Sequence, residues 1–355
     1  MKSRFLIVLI FLISTVGSLF AQTIGVIEVG SSGVKARVIE IKRASSAADS
    51  QQSPEIIYKE LFRREINSNV VDGAVNRALL ANKIQETAIA VSSLVAEMKR
   101  FDPASLKLVG STSFDNYTNR SALEDAIEKA VGQRVAFISA DDEIFYALRT
   151  SVRKQLLPRS ILIDIGGGNT KLGYFSQYIP GKNFASVKFE YGTRTLHAKA
   201  VKLNPNDVRQ ATLQIIDNEV RPLLREAVAR NAGLSNPTRR VYIEGGTPWA
   251  FATYAQPRKS TDSYNYLNRG DIDRVLNLLS SGGLTTAGLS DQQASIVSSV
   301  GDVYSQEQYM VGGLLLKAIL EELKINNREF AFNRFGGWSI GYAISVYAEE
   351  NKLDF

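Results

Sequence analysis

Three short glycine turns carry most of the chemistry legible in this chain: Gly30-Ser31-Ser32-Gly33, Gly166-Gly167-Gly168-Asn169-Thr170 and Gly245-Gly246-Thr247. Each follows an apolar run that reads as a strand. Glycine lets a backbone come close to an anion, and successive N–H groups in such a turn aim at one point. Serine and threonine add hydroxyl donors. One such turn is most often only a link between strands. Three of them, with the acids Glu28 and Asp164 just ahead of the first two, suggest a phosphate cradle beside carboxylates. Neither G-x-x-x-x-G-K-[ST] nor G-x-G-x-x-G occurs, which argues against a P-loop ATPase or a dinucleotide-binding unit.

Other chemistries lack their residues. The chain has no Cys, so disulfides, thiolate nucleophiles and Cys-ligated metals are excluded. Its one His, His197, rules out a multi-histidine metal site, and no G-x-S-x-G elbow accompanies it. Carboxylates, hydroxyls, backbone amides and a hard cation bound by oxygen remain.

The elements that must position these groups alternate. Ile24–Val29 and Val34–Ile41 read as a hairpin around the first turn, with a third strand at Ile56–Arg63. Asn82–Arg100, Thr118–Val131 and Asp141–Val152 have helical spacing, and Leu106–Ser111 and Arg134–Ser139 read as strands between them. After Pro158 the opening pattern returns: Ser160–Ile165, a glycine turn, then Thr170–Phe175. Such an echo one domain length later indicates a duplicated unit. Asn206–Asn231 reads as a long helix kinked at Pro222. Arg240–Ile243 is a strand leading to the third turn. Gly270–Leu279, Tyr309–Lys324 and Gly341–Asn351 read as helices, Phe330–Asn333 as a short strand, and residues 44–54 and 280–290 as loops.

With 355 residues, 45% hydrophobic and 22% charged, the chain suits two domains of ordinary size. Met1–Ala21 has a basic start (Lys2, Arg4), an apolar run and a small residue before Gln22, the layout of a secretory signal peptide. An uncleaved membrane anchor is the alternative. Its removal lowers the net charge of +6 by two. The remaining mild excess, with no basic run, does not indicate nucleic-acid binding.

From Ile24 onward the chain resembles the exopolyphosphatase/guanosine pentaphosphate phosphohydrolase family, within the actin-like ATPase fold. Glu28-Val29-Gly30-Ser31-Ser32-Gly33 is similar to that family's D-x-G-S-N-S turn. Asp164-Ile165-Gly166-Gly167-Gly168-Asn169-Thr170-Lys171 is similar to its D-I-G-G-G-S-T-E, the most specific match. Ile138–Glu143 resembles I-S-G-x-E-E, and Gly192 with Arg194 resembles G-x-x-R-L. The last hundred residues match only loosely.

The resemblance implies an α/β fold of two actin-like (ribonuclease H-like) domains around a cleft. Residues 22–152 would form the first and 153–355 the second, with the C-terminal segment packing back on the first. It implies a phosphohydrolase acting on polyphosphate or a related phosphorylated ligand in the cell envelope, secreted or periplasmic. Glu143 would be the general base. Asp164 and Glu28 would hold Mg²⁺ or another divalent cation. Ser31, Ser32, Gly33, Gly166, Gly167, Gly168, Asn169, Thr170, Lys171, Gly245, Gly246 and Thr247 would contact phosphate. No stable membrane insertion is expected after cleavage of the leader, and a homodimer is compatible.

Three departures stand out, and the last two favour the other reading, a catalytically weakened member that binds a phosphorylated ligand or a protein. Glu28 stands where the family has Asp. Asp115 stands where it often has Arg, an anion for a cation beside a polyanion. Lys171 stands where it has an acid, an ammonium in place of a metal ligand.

Overall fold

The structure is a computed structural model and describes residues 21–43, 56–74, 76–179, 182–281, 286–325 and 327–353. The leader sequence before Ala21, the loop at 44–54 and part of the loop at 280–290 lie outside them.

Two sheets organise the chain. The first contains β1 (Gln22–Val29), β2 (Val34–Arg43), β3 (Ile56–Ile66), β4 (Ser105–Gly110) and β5 (Ala136–Phe137), in the order β3-β2-β1-β4-β5. The second contains β6 (Ser160–Ile165), β7 (Thr170–Ile179), β8 (Lys182–Phe189), β9 (Arg240–Gly245), β10 (Tyr264–Leu267) and β11 (Phe330–Asn333). Its order is β10-β11-β9-β6-β7-β8. In each, an antiparallel meander of three strands is extended by parallel strands: β1 pairs with β4, and β6 with β9. The sequence echo is therefore a repeated topology, β1-β2-β3-β4 matching β6-β7-β8-β9, with β10 added at the far edge of the second sheet.

Alternation along the strands builds the cores. In β1, Ile24 and Val26 point to one face and Ile27 and Val29 to the other, and all four are buried, as expected of a strand covered on both sides. Ile24 and Val26 share a cluster with Ile144 and Leu148 of the helix Ala140–Ser151 and with Ile340 and Ile344 of the helix Trp338–Glu350. Leu162 and Phe175 of the second sheet join that cluster, so two helices glue the sheets together. The C-terminal helix thus packs against the first sheet.

The long helix expected at Asn206–Asn231 is Val208–Ile215 and Arg221–Arg230, joined by a wide π-type turn at Ile216–Val220. Pro222 has no N–H to give, so the helix widens just ahead of it. The strand expected at Arg134–Ser139 shortens to Ala136–Phe137. Ser139 leaves it to cap the next helix, in a capping box with Asp142. Strands β8 and β10 and the helices Thr193–Leu203, Gly246–Ala255 and Asp291–Ser299 carry no sequence expectation above. Among the described residues no helix is long and apolar enough to cross a membrane.

Candidate functional site

The first two glycine turns are built alike. Gly30 N–H donates to the Gly33 carbonyl at 2.9 Å, and Gly166 N–H donates to the Asn169 carbonyl at 3.0 Å. The amides that follow within each turn are not used in closing it. The turns face each other closely: a Cβ on Gly167 would stand 2.6 Å from Ser32 Oγ and 2.8 Å from Ser31 Oγ. Only glycine permits that approach. The third turn needs glycine for its backbone, because Gly245 has φ +104° and a Cβ there would meet the Ile165 carbonyl oxygen at 2.1 Å.

A cleft of about 470 Å³ runs from these turns along both sheets. Glu28, Ser31, Ser32, Gly33, Asp164, Gly166, Gly167, Lys171, Gly245 and Gly246 line it. Five expected site residues do not. Gly168 packs against Ser113, and Thr170 Oγ1 donates to the Tyr191 carbonyl at 2.7 Å. Asn169 donates to Thr112 Oγ1 at 3.3 Å, and the hydroxyls of Thr247 and Thr193 bond each other at 2.7 Å. The fifth is Glu143. Strand alternation explains Thr170: its neighbour Lys171 takes the cleft face, so Thr170 takes the other.

Glu143 is wholly buried, with no exposed surface. The capping box starts its helix at Ala140 and puts Glu143 in the first turn, pointing inward. Its Oε1 accepts from the Thr112 amide at 2.8 Å. Its Oε2 accepts from the Thr112 hydroxyl at 3.1 Å and pairs with Lys171 Nζ at 2.5 Å. Lys171 also reaches Asp164 Oδ2 at 3.2 Å. One buried ammonium therefore holds both the expected base and the expected metal ligand. Burial alone would lower the Lys171 pKa, but Glu143 and Asp164 outweigh it and hold the pKa above the usual lysine value.

The first hairpin repeats the device. Lys35 pairs in register with Glu28 as Lys171 does with Asp164, each lysine following its acid by 7 residues. Lys35 Nζ lies 3.0 Å from Glu28 Oε1. Burial works to raise the Glu28 pKa, yet the Lys35 ammonium and Arg37 keep it below the ordinary carboxylate value. Lys35 is a residue that sequence reasoning missed, although its spacing from Glu28 matches that of Lys171 from Asp164.

A third carboxyl, Glu244, pairs in register with Asp164 from the neighbouring strand and is buried at the cleft wall. Burial and the Asp164 charge push its pKa well above the ordinary value. Its Oε1 has no hydrogen-bond partner. It was also missed, since an acid before a glycine pair reads as a turn residue.

The donor set does not suit the expected divalent cation. Glu28 is paired with Lys35 and Asp164 with Lys171, the Glu244 pKa lies well above the ordinary value, and no group of three acids or histidines among the described residues could hold a metal ion. The two ammonium groups stand against these carboxylates where the metal was expected.

Arg194, at the start of the helix Thr193–Leu203, ties the turns together. Its Nη1 donates to both Asp72 oxygens at 2.8 Å, its Nη2 to Asn69 at 2.6 Å and the Val303 carbonyl at 2.9 Å, and its Nε to Ser32 Oγ at 3.1 Å. Asp115, the anion noted at a cation position, pairs with Lys188 at 3.0 Å and does not line the cleft.

The overall fold recurs in solved structures. The fold is that of the Ppx/GppA proteins. An exopolyphosphatase-like protein matches with a TM-score of 0.67 at 15% identity, over 93% of this chain and 99% of its own. An exopolyphosphatase from Cytophaga hutchinsonii matches with a TM-score of 0.65 at 15% identity, over 94% and 99%. The Aquifex aeolicus Ppx/GppA family member matches with a TM-score of 0.63 at 15% identity, over 94% and 99%. No protein-family model matches the chain, and no curated protein does. Identities this low carry the Ppx/GppA architecture to this chain and leave its chemistry to be read from its own residues.

Proposed function

We propose that this protein binds a phosphorylated small ligand in its cleft without a resident metal, and holds that ligand rather than hydrolysing it. The two halves would act as actin-like domains closing on the ligand. The Met1–Ala21 leader supports placement outside the cytoplasm, where polyphosphate or another phosphoanhydride is a suitable ligand.

The observation that carries this reading is Lys171. A general base must reach the attacking water, and Glu143 is buried with both oxygens engaged. Phosphoryl transfer further needs a cation that can follow charge onto the leaving oxygen. Lys171 is instead fixed between two carboxylates. The free amides of the two glycine turns and the Ser31 and Ser32 hydroxyls suit holding a phosphate without reacting with it.

The test is calorimetric titration with tripolyphosphate in excess EDTA, beside phosphate release from the same compound with Mg²⁺. Binding in EDTA with no phosphate released is the expected result. Magnesium-dependent release that falls roughly 10²–10⁴-fold in Glu143→Gln would instead establish a hydrolase with Glu143 as its base.

A further inference from the structure

One wall of the cleft carries two guanidinium groups that make no ion pair among the described residues. Arg334 follows β11, is only 8% exposed and lines the cleft. It donates to Asn265 Oδ1 at 3.1 Å and to Thr253 Oγ1 at 3.4 Å, both neutral, and its Nε has no partner. No carboxylate among the described residues lies within ion-pair distance of it, and Asp262 acts on it only from farther away. Arg63 of β3 is exposed on the same wall. It donates to the Arg334 carbonyl at 3.4 Å and makes no ion pair among the described residues. Arg37 lies beside it and is already paired with Glu60.

Burying a cation without a counter-ion is unfavourable, and native proteins pair buried charges with few exceptions. Crowding a second guanidinium against it adds repulsion. Arg334 responds: burial first, and then Arg63, bring its pKa down to about 10. The neighbouring Arg37 guanidinium lowers that of Arg63, while Glu60 and Glu65 act against it. An anion docked on this wall would relieve both terms. Phe335, 46% exposed, and the buried Trp338 border the same cleft and exclude water from one side of such an ion.

We infer that Arg63 and Arg334 form a second anion subsite, which takes a phosphoryl group of the bound ligand on the cleft wall outside the glycine turns. The inference rests on the reading of the cleft as a phosphate-ligand site. It makes the preferred ligand one with at least two separated phosphoryl groups, one at the turns and one at the arginine pair. A cleft of this size accommodates such a molecule.

The experiment compares tripolyphosphate with orthophosphate by calorimetric titration in EDTA, on the wild-type protein and on Arg63→Gln, Arg334→Gln and Ser32→Ala. Arg63 is an exposed strand residue, so Arg63→Gln keeps the test valid if Arg334→Gln does not fold. Removing one charge-assisted contact costs about tenfold in affinity or more. Tripolyphosphate should therefore weaken at least tenfold in each arginine variant, while orthophosphate, held at the turns, changes less than twofold. Tripolyphosphate binding that depends on Ser32 but is unchanged in the folded arginine variants overturns the subsite and leaves the function standing. Equal weakening of both anions in the arginine variants also overturns it, since the wall would then be the only site. No binding of either anion by wild type overturns the reading of the cleft, and the subsite with it.

Discussion

Replacing Lys171 by Met removes the ammonium that bridges Glu143 and Asp164 and keeps most of the side-chain volume. At 2.5 and 3.2 Å, and with an effective dielectric constant of about 20, the two attractions amount to about 7 and about 5 kcal/mol gross. Desolvation of three buried ions cancels most of that in the intact site. Losing one partner does not restore water to the others, so the net cost is about 3–5 kcal/mol. That corresponds to a fall in Tm of roughly 6–20 °C for domains of this size. The sign of the pH dependence follows. Burial works to lower the Lys171 pKa, but Glu143 and Asp164 hold it above its unfolded value, so the folded wild type keeps its proton to higher pH. The stabilisation by Lys171 is then fully present below the unfolded lysine value and is lost as pH rises through the folded one. The deficit relative to wild type should therefore be as large at pH 9 as at pH 7, measured by calorimetric or circular-dichroism melts. Adding Glu143→Gln to the variant removes one stranded charge and should recover a good part of the loss. A Lys171→Met protein that melts within about 2 °C of wild type at both pH values would refute the buried-network argument.

Burial and the Asp164 charge put the folded pKa of Glu244 above its unfolded one, so its contribution to stability falls as pH rises through the folded value. Glu244→Gln, which mimics the neutral form, should flatten that decline between pH 5 and 8; an unchanged slope in urea-denaturation stability would show that Glu244 ionises normally. Gly245→Ala forces a Cβ against the Ile165 carbonyl at φ +104° and should cost at least about 2 kcal/mol by urea denaturation, whereas Gly132→Ala, also at positive φ but with open space around it, should cost less.

Local pattern was enough for much of the fold. The hairpins flanking Gly30–Gly33 and Gly166–Thr170 follow from strand alternation interrupted by glycine, and their repetition announced two related units that the structure shows as one strand order used twice. The turn residues Ser31, Ser32, Gly167 and Gly246 were legible as cleft residues for the same reason, since a turn stays where its strands end. The acid–lysine spacing was also present in the sequence, once in plain view at Lys171 and once unnoticed at Lys35. Only tertiary structure decided what these groups do. Whether Glu143 faces water or a buried lysine depends on how the helix Ala140–Ser151 is set against β7, and no spacing within either element specifies that contact. Arg63 and Arg334 stand far apart in the chain, and neither belongs to a motif. They meet because the β11–helix connection of one sheet lies against the β3 edge of the other. Hydrophobic periodicity acts between neighbours in sequence, while charge compensation acts between neighbours in space, so the elements could be read from the chain and the electrostatics of the cleft could not.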